Sequence, residues 1–145
     1  MADLRRIFSD VGRVHAQLEA AVSLRLRSEL GLPLVLFEAL TVMAEVEQCR
    51  VHDLASGLCI SAGGASKLVD RLAALGCCRR LPNPDDRRSS LVELTPAGQR
   101  TLAQAGRSVD EELERMIGPV LSTAQITELA VTLRDLRRAG PPPPV

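Results

Sequence analysis

The chain has 145 residues, with 18 basic and 18 acidic side chains and no formal net charge, which is the size of one domain able to bury a core without staples. Its 46% hydrophobic and 25% charged residues are ordinary for a soluble globular protein, and no apolar run approaches the roughly 18 residues that span a bilayer. Phe8 and Phe37 are the only aromatics, which removes the stacking platform used to bind single strands and RNA loops and leaves a core of Leu, Val, Ile and Ala, side chains suited to packed helices.

In chain order, Leu4, Ile7, Phe8, Val11, Val14, Leu18 and Val22 recur at spacings of three and four, predicting a helix from about Asp3 to Glu29. Gly31 and Pro33 end it. A second helix is predicted from Val35 to Glu47, and a short third from His52 to Leu58. A fourth opens at Ser61, a good N-cap, and closes at Gly76, a good C-cap. Two strand-like pieces follow, Cys78 to Leu81 and Ser90 to Leu94, around the turn-rich charged loop Pro82 to Ser89. Thr95-Pro96 pairs an N-cap with proline at the first helical position and starts a long helix to about Met116. Gly118-Pro119 breaks it, and Ser122 with Gln125 forms a capping box for a last helix to about Arg138. The prolines at 141–144 stop that helix and leave an exposed tail.

The expected fold is mainly α with a small β-hairpin: a winged helix-turn-helix lobe over 33–95, long helices over 1–30 and 96–139 free to build something else, and a tail over 140–145. Leu54 to Leu68 fits the helix-turn-helix position by position. Ala55 is the small residue where two helices cross, and Leu54, Leu58, Ile60, Ala65 and Leu68 stand at the core-facing places. Cys59 sits where the turn often holds glycine. Either its backbone takes a positive φ, at a cost of about 1 kcal/mol, or the turn is a variant that needs none; the variant is the expectation.

On the fourth helix Ala65, Leu68, Val69, Leu72 and Leu75 cluster on one side, the predicted core side. The other side carries Gly63, Ser66, Lys67 and Asp70, with Arg71 at its flank. Small residues let a helix sink into the major groove, where its N-terminal positions meet base edges. Ser66 can donate or accept there, and Lys67 reaches a guanine or a phosphate. Ser61 and the neighbouring backbone N–H groups can hold a phosphate. Gly63-Gly64 read either as close approach to DNA or as a frayed helix start costing roughly 1 kcal/mol per glycine. Asp70 repels phosphates, so it is expected to pair with Lys67 or Arg71 or to lie beyond the groove.

The loop Asp85-Asp86-Arg87-Arg88 is the predicted wing, whose arginines suit a narrow, electronegative minor groove. Asp86 is expected to pair with an arginine and fix the loop. Charge distribution agrees with this reading: eight basic side chains stand against five acidic ones between Arg50 and Arg100.

The pattern Leu54-Ala55, Ser61, Ser66, Leu68-Val69-Asp70-Arg71-Leu72, Gly76, Asp86-Arg87-Arg88 and Leu94-Thr95-x-x-Gly98 resembles the MarR family of winged helix-turn-helix regulators. The likeness is close over about 30–105; the terminal helices match in arrangement only. It implies a homodimer built from interdigitated terminal helices, with two lobes reading a palindromic operator in double-stranded DNA. It also implies recognition-helix contacts at Gly63, Ser66, Lys67 and Arg71 and wing contacts at Arg87 and Arg88. Many members are repressors released by a small ligand held between the dimerisation helices and the lobe. Dimerisation has a second warrant: a winged helix of about 65 residues cannot cover all the apolar stripes at the two ends, whereas two-fold pairing would bury them and set the recognition helices about one DNA turn apart.

For sensing, the residues offer less. A cysteine near the N-terminal helix supported by tyrosines, the peroxide-sensing arrangement of part of the family, does not carry over, because Cys49 is the first cysteine and tyrosine is absent. Cys77 and Cys78 are expected to pack as small hydrophobes. Cys59, just before a helix N-terminus, is a redox candidate on position. Arg13, His15, Glu38 and His52 are candidate polar groups for an effector pocket. With two histidines and no Cys-x-x-Cys pair, no metal or other cofactor is expected. The N-terminus lacks a signal-peptide pattern, so a cytoplasmic protein with reduced thiols is expected. Two rival classes remain: a winged helix that binds another protein instead of DNA, favoured by zero net charge with Asp70, Asp85 and Asp86, and an enzyme, for which no nucleophile–base pair, phosphate loop or metal spacing appears.

Overall fold

The computed structural model describes residues 3–140. In order it holds α1 (Leu4–Leu30), α2 (Leu34–Glu45), α3 (Val51–Gly57), α4 (Ala62–Ala74), β1 (Cys78–Pro82), β2 (Ser90–Leu94), α5 (Pro96–Ile117) and α6 (Thr123–Ala139). Each predicted element is present, with ends shifted by a residue or two. The proline run at 141–144 lies outside the described residues.

The caps explain where the helices begin. Asp3 accepts from the backbone N–H of Arg5 and Arg6 at 3.1 and 3.2 Å. Ser61 accepts from Gly64 N–H at 3.1 Å, and Thr95 from Gly98 N–H at 3.0 Å with Pro96 behind it. Ser122 and Gln125 exchange bonds in the predicted capping box. Each satisfies a backbone donor that a helix start leaves unpaired.

The core lies where α1, α2, α3, α4, the hairpin and α5 converge. Leu26, Leu36, Leu40, Leu54, Val69 and Leu72 are fully enclosed, with Ala65 and Ala105 between them. Ala55 is buried at the α3–α4 crossing, as its size requires. Two expected core residues fall outside: Leu75 is 58% and Ile60 37% exposed. Leu75 has left the helix and forms the C-cap of α4, where a period of 3.6 no longer sets its direction. Ile60 belongs to the turn and lies over the start of α4 near Gly64.

The strands pair antiparallel, with Cys78 opposite Leu94, Arg80 opposite Val92 and Pro82 opposite Ser90. A third partner was not foreseen. Arg50 bridges Leu91, and Val92 N–H donates to Cys49 carbonyl at 2.7 Å. One bridge has no alternation to read, so sequence patterning is blind to it. It ties the hairpin to the start of α3 and so holds the wing beside the helix-turn-helix.

Candidate nucleic-acid interface

The helix-turn-helix corner is closed by a complete Schellman arrangement. Ile60 N–H donates to Ala55 carbonyl at 3.0 Å and Cys59 N–H to Ser56 carbonyl at 3.3 Å, satisfying the last carbonyls of α3. That motif needs a left-handed residue, and Cys59 supplies it with φ +53°. The expectation of a variant turn is therefore overturned, and the positive-φ alternative holds. The far end of α4 closes the same way on Gly76, with φ +72°: Cys77 N–H reaches Leu72 carbonyl and Gly76 N–H reaches Ala73 carbonyl, both at 2.9 Å.

Between these corners α4 turns Ala65, Val69 and Leu72 into the core and leaves Gly63, Lys67 and Arg71 exposed, with Ser66 half-buried. The two glycines now separate. A Cβ on Gly64 would come within 3.2 Å of Ser61 Oγ, the capping atom, so the cap itself favours glycine there. A Cβ on Gly63 would meet nothing within 4 Å. No packing in the fold accounts for glycine at 63, so a tolerated weak helix start and close approach by something outside the chain both stay open there.

The wing is held by its own backbone. Asn83, 4% exposed, donates through Nδ2 to Ser89 Oγ at 2.9 Å and accepts Asp85 N–H at 3.0 Å. Asp86 Oδ1 accepts Arg88 N–H at 2.9 Å, and its Oδ2 meets Ser89 Oγ at 3.2 Å. Asp86 thus fixes the loop as expected, but through backbone and serine rather than an arginine side chain; a short side chain reaches the backbone two residues on more easily than a neighbouring guanidinium. Arg87 and Arg88 are left exposed at the tip.

Asp70 differs from expectation. It pairs with Arg80 of β1 at 2.8 Å, not with Lys67 or Arg71. Arg80 was missed, although the pattern contains a signal: strand alternation puts it on the face of Cys78, and Cys78 Sγ lies against Val69 carbonyl of α4 at 3.5 Å. Arg79, on the other face, pairs with Glu93. Among the described residues Lys67, Arg71, Arg87 and Arg88 have no carboxylate within ion-pair distance. Lys67 and Arg71 stand one turn apart on the exposed side of α4, and Arg87 and Arg88 stand at the tip of the hairpin loop.

The thiols sort by environment. Burial pushes Cys49 and Cys78 up to about 11, and Cys77 is enclosed beside them, in keeping with packing roles. Cys59 alone is exposed, and all four are free. Of the polar groups considered for an effector site, His15 lies close enough to Glu38 to act on its carboxyl, and His52 lines a cleft that neither of them lines. His15 faces Glu19 at 3.5 Å on the outside of α1. Partial burial first, and then Glu19, push the Glu38 carboxyl up, while His52 sits by the wing cleft with Arg50 and Arg88. A larger cavity of about 630 Å³ opens instead between α2, the hairpin and the start of α5, with Met43, Val46, Cys49 and Leu102 as apolar wall and Gln48 and Gln99 as polar groups. No described helix is long and apolar enough to cross a membrane.

The MarR family model matches residues 32–90, the stretch from the start of α2 to the start of β2. The multiple antibiotic resistance protein MarR of Escherichia coli is 30% identical over 84 residues, 58% of this chain and 58% of that protein. The match to this curated relative therefore spans little more than half its length. A MarR family transcriptional regulator from Streptomyces coelicolor, solved in complex with DNA, superposes with a TM-score of 0.81 at 23% identity, over 96% of this chain and 88% of its own. CouR from Rhodococcus jostii, solved with p-coumaroyl-CoA, gives 0.78 at 24% identity over 90% of each chain. The structural likenesses establish the winged-helix fold, and the sequence similarity to the MarR family falls on the segment that carries the motif.

Proposed function

We propose that the protein is a sequence-specific transcription regulator, a repressor, that binds a palindromic operator in double-stranded DNA as a homodimer. The observation that carries this is that Lys67 and Arg71 on α4 and Arg87 and Arg88 on the hairpin loop are exposed cations without ion-pair partners among the described residues, and that the N-terminal half of α4 is small and open at Gly63. In this reading α4 lies in the major groove. Ser66, Lys67 and Arg71 face bases and phosphates, Gly63 and Gly64 permit the approach, and Ser61 with the helix start holds a phosphate. Arg87 and Arg88 enter the adjacent minor groove on a wing shaped by Asp86. Residues 33–95 are the reading lobe, and 1–30 with 96–139 are the dimerisation helices. No catalytic role is assigned to any residue.

Pairing is supported by the ends of the chain. Leu4, Phe8 and Val11 of α1 and Leu129, Leu133 and Leu136 of α6 are exposed, and no residue of α6 is buried. Monomers rarely leave such continuous apolar stripes in water. A structural neighbour was solved with an acyl-CoA, and the cavity between α2 and α5 is the place for a small effector here. It touches both the lobe and a dimerisation helix, so a ligand there can bias their relative setting.

The test is a mobility shift on the DNA beside the protein's own gene, at two salt concentrations, with an Arg87→Ala/Arg88→Ala double variant alongside. Tight binding that weakens steeply with salt is expected, with the variant losing affinity and roughly two units of log–log salt slope. Salt-indifferent binding, or none at any genomic site, rejects the reading in favour of a protein partner.

A further inference from the structure

Arg80 joins the wing to the recognition helix through one guanidinium. Its Nη2 lies 2.8 Å from Asp70 Oδ1, 3.0 Å from Ser66 Oγ and 3.3 Å from Ser66 carbonyl, and its Nη1 lies 3.2 Å from Ser90 Oγ. A guanidinium has donors and no acceptor, so at Ser66 the hydroxyl oxygen is the acceptor. Among the described residues that hydroxyl has no acceptor for its own hydrogen. A serine on a helix commonly turns this hydrogen back to the carbonyl four residues earlier, as Thr41, Thr127 and Thr132 do here. Ser66 does not.

Resting on the DNA-binding reading above, we infer that Arg80 is a specificity-positioning residue that fixes the Ser66 hydroxyl as a hydrogen-bond donor toward the major groove. Left free, a serine hydroxyl rotates and reads donors and acceptors alike, which makes it a poor discriminator. With one lone pair occupied by Arg80, the hydrogen is kept off the guanidinium's side, and the adjacent cation makes the hydroxyl a better donor than acceptor although one lone pair remains. A base facing Ser66 is then favoured when it presents an acceptor: N7 or O6 of guanine, N7 of adenine, or O4 of thymine. The amino group of cytosine is disfavoured there. Asp70 completes the device by neutralising Arg80 and holding it against α4, so that an acid on the recognition helix serves the helix instead of repelling phosphate. Arg80 itself contributes orientation and not a phosphate contact.

The experiment selects binding sites from a pool of randomised duplex DNA with the wild type, Arg80→Ala, Ser66→Ala and the double variant, and then measures the salt slope on the selected site. The wild type is expected to enrich a palindrome in which one column per half-site prefers acceptor-bearing bases by about fivefold, the worth of one net hydrogen bond. Arg80→Ala should flatten that column to within roughly twofold while leaving the other columns and the salt slope unchanged. Ser66→Ala and the double variant should flatten the same column and no further, because the two residues act as one unit. Melting curves identify any variant that fails to fold; Arg80→Lys, which keeps the charge and loses the forked donor, then carries the test and should flatten the same column. An unchanged column in Arg80→Ala overturns the inference alone. So does uniform weakening with a slope lower by about one, which marks Arg80 as a phosphate contact. Failure of the wild type to enrich any sequence overturns the DNA-binding reading with it.

Discussion

The lobe and the ends of this chain solve the same packing problem to different degrees. In the lobe each apolar stripe finds a partner within the chain: α4 buries Ala65, Val69 and Leu72 against α2, α3 and β1. The stripe on α1 is continuous over Leu4, Ile7, Phe8, Val11, Val14, Leu18 and Val22, yet only its C-terminal part is covered, and Val22 and Leu26 are the only buried residues of the helix. α6 buries none. Identical periodicity thus means core in one place and an uncovered surface in another. Where the chain passes from the lobe into α5 the backbone is tightly fitted: Thr95 Oγ1 donates to Gly76 carbonyl at 2.6 Å, Thr95 N–H to Cys77 carbonyl at 3.0 Å, and Gly98 packs on that same carbonyl.

The largest effect is expected at that joint. A Cβ on Gly98 would stand 1.9 Å from the Cys77 carbonyl oxygen, a backbone overlap that no rotamer relieves. Gly98→Ala should cost about 3 kcal/mol or more, read as a large fall in melting temperature with lobe and α5 uncoupled. Near wild-type melting would break the picture of a rigid joint. Next in size is Leu129→Asp/Leu133→Asp on α6. Sedimentation velocity should turn from dimer to monomer while the lobe keeps its helical signal, because neither residue belongs to the core. Loss of all structure would mean the lobe is not complete in one chain.

A smaller effect sharpens how α1 is clamped to α5. Arg25 meets Glu29 at 3.0 Å, Glu111, and Glu112 at 3.5 Å, and Glu29 accepts from Ser108 Oγ at 2.7 Å. The Arg115 hydrogen bond, with help from Arg25, holds the Glu112 carboxyl below its usual 4.5. A carboxylate depressed in the folded state stabilises above its unfolded value and loses that contribution as pH falls through its folded one. Glu112→Gln should therefore melt lower than wild type at neutral pH, and the two should converge as pH drops below about 4.5. A gap that persists in acid would assign the loss to packing instead of charge. Alkylation at pH 8 should label Cys59 first. At a pKa of about 11, Cys49 and Cys78 hold only about one thiolate in a thousand, and they are enclosed as well. Three or four thiols labelled at once in native protein would mean the lobe opens readily.

Much of the lobe was legible because caps and periods are local. Ser61, Gly76, Thr95-Pro96 and Ser122 with Gln125 each announced a helix end that the structure keeps. What escaped was relational. Asp70's partner is ten residues away on a strand, Asn83 is buried because the hairpin folds over it, and the Arg50–Leu91 bridge joins segments with no shared pattern. Charge type and spacing nominated the exposed cations Lys67, Arg71, Arg87 and Arg88. They could not reveal that Arg80, no less basic, is engaged internally. Leu75 and Ile60 were misplaced for the same reason: a period holds only inside its helix.

The smallest prediction concerns one of two corners where local chemistry and geometry conflict, since Gln48 and Cys59 both hold a side chain at φ +53°. Three described helices end on a left-handed residue, two of them glycines, Gly31 and Gly76, at φ +62° and +72°, and the third Cys59 at φ +53°. A side chain in this region costs about 1 kcal/mol, while glycine occupies it freely but loses more entropy on ordering. The first term outweighs the second only if the strain is real. Cys59→Gly should therefore raise stability by about 0.5–1 kcal/mol, and Cys59→Ala should leave it near wild type, since alanine keeps the Cβ. Cys59 is exposed, so its thiol adds little packing to either comparison. If glycine stabilises, the strained corner is a cost the fold carries just ahead of α4, and retaining cysteine there calls for a reason beyond folding. If glycine and alanine destabilise equally, the thiol's contact with Ser56 carbonyl at 3.9 Å outweighs the strain, and the corner is as settled as the two that end on glycine.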